Sequence, residues 1–306
     1  MTTTIKKHSP AVLETVRTLM NGAIDYAGLF PPSQLPMPDA VQNFAKYSLS
    51  DHNWMLGRFV VGLGKLPEFL AIFDEFETPD CDTWRISVVA SADISETIER
   101  ISRTNEVYSG RLACDSVEIK SVSLKADIKR AAASLPDHVT AFFEVAVDEY
   151  LDELIAAIAA SGQRAKIRTG GVTADAFPTA AEIVRFVQAC TSANVPFKAT
   201  AGLHHPLRCL KPLTYAPEAP RGMMHGFLNM FLMTGFCRNG HETRLLEELM
   251  GETAADHFKF AENHVIWRDR ALDVMEIKSL RADGIMSFGS CSFDEPIDDL
   301  RSLGLL

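Results

Sequence analysis

The sequence predicts an α/β fold, a single (β/α)8 barrel that forms one domain over residues 1–306. Short β-like runs alternate with amphipathic helical stretches from about residue 22 onward, and this alternation indicates βαβ units and a parallel sheet. Eight β-like runs can be counted. A chain of 306 residues, 47% of them hydrophobic, is long enough for two ordinary domains or one barrel, and the regular alternation favours the barrel.

Each predicted strand is a short, largely apolar run bounded by polar or turn-forming residues, as expected for a parallel sheet buried on both faces. In chain order the runs are Ala23–Leu29, Gly57–Gly62, Arg85–Ala90, Ser116–Val122, Thr140–Val147, Ala165–Gly171, Phe197–Gly202 and Gly284–Gly289.

The predicted helices carry apolar residues at three- and four-residue spacing, which is typical of helices that cover a barrel. Asp39 begins the first, after the Pro-rich loop 30–38. Asp148–Ala160 and Thr179–Ala193 follow strands five and six. The last, Asp294–Leu300, has acidic residues at its N-terminal end, where the helix dipole favours them.

About eighty residues, 203–283, separate strands seven and eight and are predicted to form a helical insertion. Its predicted helices are Met224–Thr234, Thr243–Met250, Thr253–Phe260 and Ala271–Leu280. An alternative makes Gly226–Leu232 the eighth strand and residues 284–306 an appendage. The Met-rich stretch 223–233 is interpreted as core or as an oligomer contact, and a homo-oligomer is predicted.

Composition excludes several classes of function. The 40 acidic and 30 basic residues give a net charge of −10, and the longest basic block is Lys6-Lys7, so no nucleic-acid partner is expected. No apolar run approaches the ~18 residues of a spanning helix, and the first ten residues have no signal-peptide core, so we expect a cytoplasmic protein without membrane contact.

The cysteines are scattered, which favours reduced thiols that serve in packing over disulfides or a thiolate metal cluster. They are Cys81, Cys114, Cys190, Cys209, Cys237 and Cys291.

Two lysines inside apolar strands point to an active site. Lys166 and Lys198 each place an ammonium where an unpaired cation is too costly to persist without a partner or a purpose. Residues at i and i+2 share a face, so Lys166 with Arg168, and Lys198 with Thr200, are predicted to point into the carboxyl-terminal mouth of the barrel. A lysine beside another cation loses its proton more easily and can attack a carbonyl to form a Schiff base. Alternatively, both lysines pair with Glu118 and Glu144 in a buried charge network.

The region from Lys166 to Gly202 resembles the deoxyribose-phosphate aldolase family. The family's sixth-strand pattern Lys-x-Ser-Thr-Gly is similar to residues 166–170, and its Ala-Thr-Pro stretch is similar to residues 176–178. Its seventh-strand pattern Phe-Lys-x-x-Gly-Gly is similar to residues 197–202. Weaker similarities follow in order at residues 24–29, 143–144 and 288–292.

The resemblance implies a class I aldolase, with Lys166 as the Schiff-base lysine and Lys198 as the second lysine that promotes loss of its proton. It also implies an anion site of backbone N–H groups. The residues of that site would be Gly170, Gly171, Gly202, Gly289 and Ser290.

This chain departs from the family at several positions. Arg168 replaces a serine, and residues 201–204 read Ala-Gly-Leu-His where the family has Gly-Gly-Val-Arg. Depending on register, the fourth-strand acid falls at Asp115, Ser116 or Glu118. The long insertion is also foreign to the family, so its substrate does not carry over.

The other candidate residues have two interpretations each. Glu144 and Glu118 are acid/base groups or charge-balancing partners. Arg168, beside Thr169, binds a substrate anion or pairs with either glutamate. Asp25 orients a catalytic group or caps the Pro-rich turn.

His204 and His205 begin a βα loop, where one is expected to contact substrate. A metal site built from His204, His205 or His225 and a glutamate is the alternative, although no HExxH spacing supports it.

The sequence therefore predicts a lyase that forms a Schiff base through Lys166 and makes or breaks a C–C bond in a small anionic carbonyl compound, without a cofactor. The alternatives are a metal-dependent lyase, isomerase or hydrolase, and a barrel that binds a small anion without catalysis.

Overall fold

A computed structural model describes residues 12–75 and 83–306 and contains a closed barrel of eight parallel strands that alternate with helices. The predicted (β/α)8 fold is therefore confirmed. The strands of the described residues are β1 (Ile24–Tyr26), β2 (Leu56–Gly62), β3 (Trp84–Val89), β4 (Leu112–Ile119), β5 (Thr140–Glu144), β6 (Arg164–Arg168), β7 (Phe197–Thr200), β8 (Cys209–Pro212), β9 (Arg221–Met224), β10 (Phe258–Phe260), β11 (His264–Trp267), β12 (Arg270–Asp273) and β13 (Ile285–Ser290).

The barrel runs in the order β1, β13, β7, β6, β5, β4, β3, β2, and β1 pairs with β2 to close it. The predicted eighth strand is β13, which lies between β7 and β1. In the β6–β7 pairing Lys166 is opposite Lys198, and in the β5–β6 pairing Glu144 is opposite Lys166. The register alone thus brings three charged residues together.

Helices cover the barrel with their apolar faces. They are α1 (Glu14–Met20), α2 (Met37–Ser48), α3 (Leu66–Glu75), α4 (Ile94–Val107), α5 (Lys125–Ser134), α6 (Leu151–Ala160), α7 (Ala180–Ser192), α8 (Phe227–Arg238), α9 (Thr243–Met250), α10 (Val274–Asp283) and α11 (Asp294–Ser302). Helix α7 shows why they form: a capping box of Thr179 and Glu182 begins it, and the ring of Phe186 packs edge-on against Phe197 of β7 at 5.2 Å.

The insertion between β7 and β13 mixes helices with short strands. The predicted helix Thr243–Met250 is confirmed as α9. The predicted helix Thr253–Phe260 is wrong, because Phe258–Phe260 pairs with β11. The predicted helix Ala271–Leu280 begins too early, since β12 extends to Asp273, whose side chain then caps α10. A second pair, β8 and β9, forms a hairpin.

Helix α8 rules out the alternative position of the eighth strand. Phe227–Arg238 is helical, and its residues from Phe227 to Cys237 are buried, so the Met-rich stretch is core. Its buried Asn229 is satisfied, because its amide donates to the carbonyls of Leu249 and Glu252 at 2.8 and 2.9 Å.

Some sequence predictions concern residues outside the described ranges, namely Lys6-Lys7, Cys81 and the N-terminal segment. Within the described ranges, no helix combines the length and apolar character needed to cross a membrane.

Candidate active site

A cavity of about 100 Å³ opens at the carboxyl ends of the barrel strands, where (β/α)8 enzymes carry their active sites. This is about the volume of three water molecules in the liquid, so the enclosed part of a ligand is small. Its wall is formed by Ala27, Phe30, Pro31, Val60, Val89, Glu118, Lys120, Lys166, Arg168, Thr200, Ala201, His204, Gly289 and Cys291.

The two lysines point into the barrel and share one carboxylate. Glu118 accepts a hydrogen bond from Lys166 Nζ on Oε2 at 2.7 Å and from Lys198 Nζ on Oε1 at 2.8 Å. Only 4% of the Lys166 side chain and 1% of the Lys198 side chain are exposed. Lys166 lines the cavity, whereas Lys198 lies deeper. The buried charge network that the sequence left open is therefore present, and it borders a cavity.

A second carboxylate holds Lys198 from the other side. Asp25, which is fully buried, accepts Lys198 Nζ on Oδ2 at 2.6 Å and Ser287 Oγ on the same oxygen at 2.8 Å. Its Oδ1 accepts the backbone N–H of Arg58 at 2.9 Å. Asp25 therefore orients Lys198 and does not cap the Pro-rich turn.

These contacts fix the charge of the deep lysine. Burial alone would lower the pKa of Lys198, but the charges of Asp25 and Glu118 raise it above its ordinary value. Burial alone would raise the pKa of Asp25 and of Glu118, but Lys198 and, for Glu118, Lys166 hold both below their usual range. The two carboxylates therefore keep Lys198 as an ammonium.

Glu144 lies at the edge of the network. Its Oε2 is 2.9 Å from Lys166 Nζ, close enough for an ion pair, but the contact does not have hydrogen-bond angles and this buried oxygen lacks a hydrogen-bond partner among the described residues. Glu144 therefore has spare capacity to accept a proton beside Lys166.

The register of strand four decides which acid faces the lysines. Asp115 pairs with Arg58 at 2.6 Å and with Arg85 at 2.6 Å. Ser116 is buried and contacts Ser87 at 3.1 Å. Glu118 is the fourth-strand carboxylate that contacts both lysines.

Further cations surround the mouth of the cavity. Arg168 is exposed, lines the cavity and makes no ion pair with any described residue, so the alternative of a pair with Glu118 or Glu144 is not seen. Lys120 also lines the cavity and was missed, although its i+2 spacing from Glu118 on strand four could have revealed it. Thr200 lines the cavity as well, beside Arg168 in the strand register.

Thr169 shapes the loops together with Gly170, Gly171 and Gly202, and these four residues do not line the cavity. The Thr169 hydroxyl donates to the carbonyl of Ala201 at 2.6 Å, and Ala201 and Gly202 both have left-handed φ angles, +66° and +77°. A Cβ on Gly170 would lie 3.0 Å from the Cα of Gly202, so only glycines allow these loops to approach. A Cβ on Gly171 would likewise lie 2.7 Å from the Cβ of Ala176.

Of the five residues of the predicted anion site, Gly289 lines the cavity. Gly170, Gly171, Gly202 and Ser290 are not part of its wall.

The two neighbouring histidines have different surroundings. His204 is buried, lines the cavity, and places Nδ1 3.2 Å from Ser290 Oγ and 3.8 Å from Cys291 Sγ. His205 points away and contacts Asp299 at 2.6 Å. Cys291 was interpreted as a packing residue. Its position directly after the last barrel strand is the sequence signal that could have placed it at the cavity.

The described part of the chain gathers no three His, Cys, Asp or Glu side chains in an arrangement that could hold a metal ion. His225, which was considered as a ligand, places Nε2 2.7 Å from the carbonyl of Pro178.

Comparisons with protein-family models, with curated proteins and with solved structures found no match to this chain.

Proposed function

We propose that this protein is a class I lyase that forms a Schiff base through Lys166 and makes or breaks a C–C bond next to the carbonyl of a small anionic compound. One observation carries the proposal: the Lys166 ammonium lines a cavity at the catalytic end of a (β/α)8 barrel and contacts two carboxylates there. The resemblance of residues 166–202 to deoxyribose-phosphate aldolases points to the same chemistry.

The chemistry begins with transfer of a proton from Lys166 to Glu144, whose Oε2 is 2.9 Å away. The free amine then attacks the substrate carbonyl carbon, and the oxygen takes up protons and leaves as water. The resulting iminium accepts the electron pair of the bond between its α and β carbons, and this bond breaks as the β-hydroxyl loses its proton. An aldehyde leaves, and protonation and hydrolysis of the enamine that remains release the second product and the free Lys166 amine. Glu118 and Glu144 are the groups close enough to Lys166 to move protons in these steps.

Lys198 acts as a fixed positive charge in this scheme. Its raised pKa keeps it protonated, so it is not the nucleophile. Through Glu118 it stabilises the negative charge beside Lys166.

The substrate is proposed to be anionic because cations outnumber anions on the cavity wall. Lys120, Lys166 and Arg168 face the cavity together with the carboxylate of Glu118. The planar guanidinium of Arg168 suits a carboxylate or a phosphate. The small cavity volume favours a compound of a few carbon atoms.

The test is reduction with sodium borohydride in the presence of glyoxylate, pyruvate or acetaldehyde, followed by peptide mass spectrometry. We expect a covalent adduct on Lys166 that is absent in Lys166→Met, with the two anions more effective than the neutral aldehyde. Lys120→Met is the matched control, because Lys120 lines the same cavity but is exposed, and we expect it to keep the adduct.

Two results would overturn the proposal. One is an adduct on Lys120 or on surface lysines but not on Lys166. The other is the absence of any adduct across a wider set of small carbonyl compounds, which would favour a barrel that binds an anion without imine chemistry.

A further inference from the structure

A cysteine and a histidine meet on the cavity wall, at the carboxyl ends of β13 and β7. Cys291 follows the last residue of β13, and His204 begins the long connection after β7. Both side chains are buried, and both line the cavity. The Sγ of Cys291 is 3.8 Å from Nδ1 of His204.

Two hydroxyls lie near Cys291, but the hydrogen of each is donated to another group. The hydroxyl of Tyr215, in the turn between β8 and β9, is 3.6 Å from Sγ and donates to Glu295 Oε2 at 3.1 Å. Ser33, in the Pro-rich loop, donates to the carbonyl of Cys291 at 3.3 Å. The neighbouring group that can donate to Sγ is therefore the ring of His204, and a protonated histidine beside a cysteine stabilises the thiolate, the reactive form of cysteine.

The hydrogen bonds also fix a proton on His204. Ser290 Oγ donates its only hydrogen to the carbonyl of Ser292 at 2.6 Å, so toward His204 it can only accept. Glu295 Oε2, 3.6 Å from the same Nδ1, is likewise an acceptor. Nδ1 therefore carries a hydrogen directed at Ser290, Glu295 and Cys291.

The electrostatics agree with this geometry. Burial alone would lower the pKa of His204, but Cys291 and Glu295 raise it. Burial alone would raise the pKa of Cys291, but His204 lowers it below that of an ordinary thiol. The other titratable groups near this thiol are Glu295 on α11 and Tyr26 on β1, both of which oppose the thiolate when charged.

We propose that Cys291 and His204 form a thiolate–imidazolium pair that is a second nucleophile of this cavity and that reacts with small anionic electrophiles. With an aldehyde acid, the Sγ lone pair would form a bond to the carbonyl carbon while the carbonyl oxygen takes a proton from His204, which gives a reversible hemithioacetal. With an α-halo acid, the S–C bond forms as the carbon–halogen bond breaks and halide leaves. The cations that line the cavity, Lys166 and Arg168 among them, select for the anion.

The test is alkylation of the intact protein with iodoacetate and with the neutral iodoacetamide at pH 6.5, with the modified cysteines identified by peptide mass spectrometry. Cys209 is a control within the same chain, since it is more exposed than Cys291 but lies outside the cavity, and its burial raises its pKa. We expect Cys291 to react with iodoacetate about tenfold faster than Cys209, and to prefer iodoacetate over iodoacetamide.

The role of His204 is tested with His204→Gln. We expect the alkylation rate of Cys291 at pH 6.5 to fall about tenfold and its pH midpoint to rise toward about 8.5, the value of a free thiol. Circular dichroism and unchanged alkylation of Cys209 would show that the variant is folded. If the variant does not fold, the comparisons of Cys291 with Cys209 and of iodoacetate with iodoacetamide on the unmodified protein still test the proposal.

Reaction of Cys209 before Cys291, or a preference of Cys291 for iodoacetamide, would overturn the proposal. So would an alkylation rate of Cys291 that is the same in folded His204→Gln. The proposal is independent of the imine, because alkylation of Cys291 and the borohydride adduct on Lys166 are measured separately on the unmodified protein, so failure of either idea is recognised separately.

Discussion

Two buried glutamates, one in the barrel and one in the insertion, each gather several partners, yet only one of them borders the cavity. Glu118 binds Lys166 and Lys198, whose side chains are 4% and 1% exposed. Glu252 binds Arg268 at 2.8 Å and His257 at 2.7 Å, whose side chains are 41% and 43% exposed. In the insertion, the buried carboxylate of Glu252 is neutralised by partners that reach the surface. In the barrel, the lysines that neutralise Glu118 are themselves buried.

The two networks differ in what they connect. Around Glu252, which also accepts the indole N–H of Trp267 at 3.3 Å, each partner ties one strand or turn of the insertion to another. Around Glu118 the charges cost desolvation on both sides and connect to a cavity, which stability alone does not require. Breaking each network should therefore give different effects.

The largest effect is expected for Lys198→Met. This change leaves Asp25 fully buried without its cation, and we expect a loss of about 3–5 kcal/mol in the free energy of unfolding at pH 7. Urea unfolding followed by circular dichroism measures it. The matched control is Lys278→Met, which removes an exposed lysine paired with Glu14 and should cost less than about 0.5 kcal/mol.

The same variant has a defined pH dependence. Asp25 has a lowered pKa in the folded protein, so its stabilisation is present above its unfolded value near 3.8 and is lost as the pH falls below it. The difference in the free energy of unfolding between wild type and Lys198→Met should therefore become smaller as the pH falls below about 3.8. An equal difference at pH 7 and pH 3 would contradict the assignment of Lys198 as the partner of Asp25.

A smaller loss is expected for Glu252→Gln, about 1–3 kcal/mol at pH 7, since its partners reach water and can be resolvated. The pKa of Glu252 is lowered from 4.5 to about 2, against the burial that would raise it, by His257, the backbone of Ala254 and Arg268. Its contribution is thus complete above about pH 4.5 and is lost as the pH falls through about 2. Lys166 should still form its borohydride adduct, and loss of that adduct in folded Glu252→Gln would remove the distinction between the two networks.

The smallest effect on stability is expected for Arg168→Ala, because Arg168 is exposed and makes no ion pair with the described residues. We expect the free energy of unfolding to fall by less than about 0.5 kcal/mol. The pyruvate concentration that half-saturates adduct formation should rise about tenfold. Arg268→Ala should have the opposite effects: the free energy of unfolding should fall, and formation of the borohydride adduct on Lys166 should be unchanged. A destabilised Arg168→Ala with normal trapping would show that Arg168 has a structural role.

The barrel was predictable because the spacing of apolar residues along the sequence distinguishes its strands from its helices. Buried parallel strands read as apolar runs and their helices as amphipathic ones, so β6, α7 and β7 were found from local pattern. The strands of the insertion were not, because a strand such as Phe258–Phe260 contains no fully buried residue and so is not marked by an apolar run, unlike the similarly short β1 and β7. They form because a partner strand distant in sequence supplies the missing hydrogen bonds.

The site was predictable for residues that strand spacing places on one face. Lys166 and Lys198 were identified because charge inside an apolar run is unusual, and Glu118 because it could pair with them. Cys291 was not identified, because a cysteine among apolar residues is common and does not stand out as a charged residue does. Its neighbours Tyr215 and His204 also come from loops that are distant in the sequence. The roles of Thr169 and Gly170 depend on the approach of two loops, which no single segment encodes.

The hydroxyl of Thr169 holds Ala201 in a left-handed conformation that alanine seldom adopts. Because this hydrogen bond already orders the wall, association does not have to freeze the backbone there. A compound that fits should therefore bind with a smaller entropic penalty than it would in a pocket whose backbone becomes ordered only on binding.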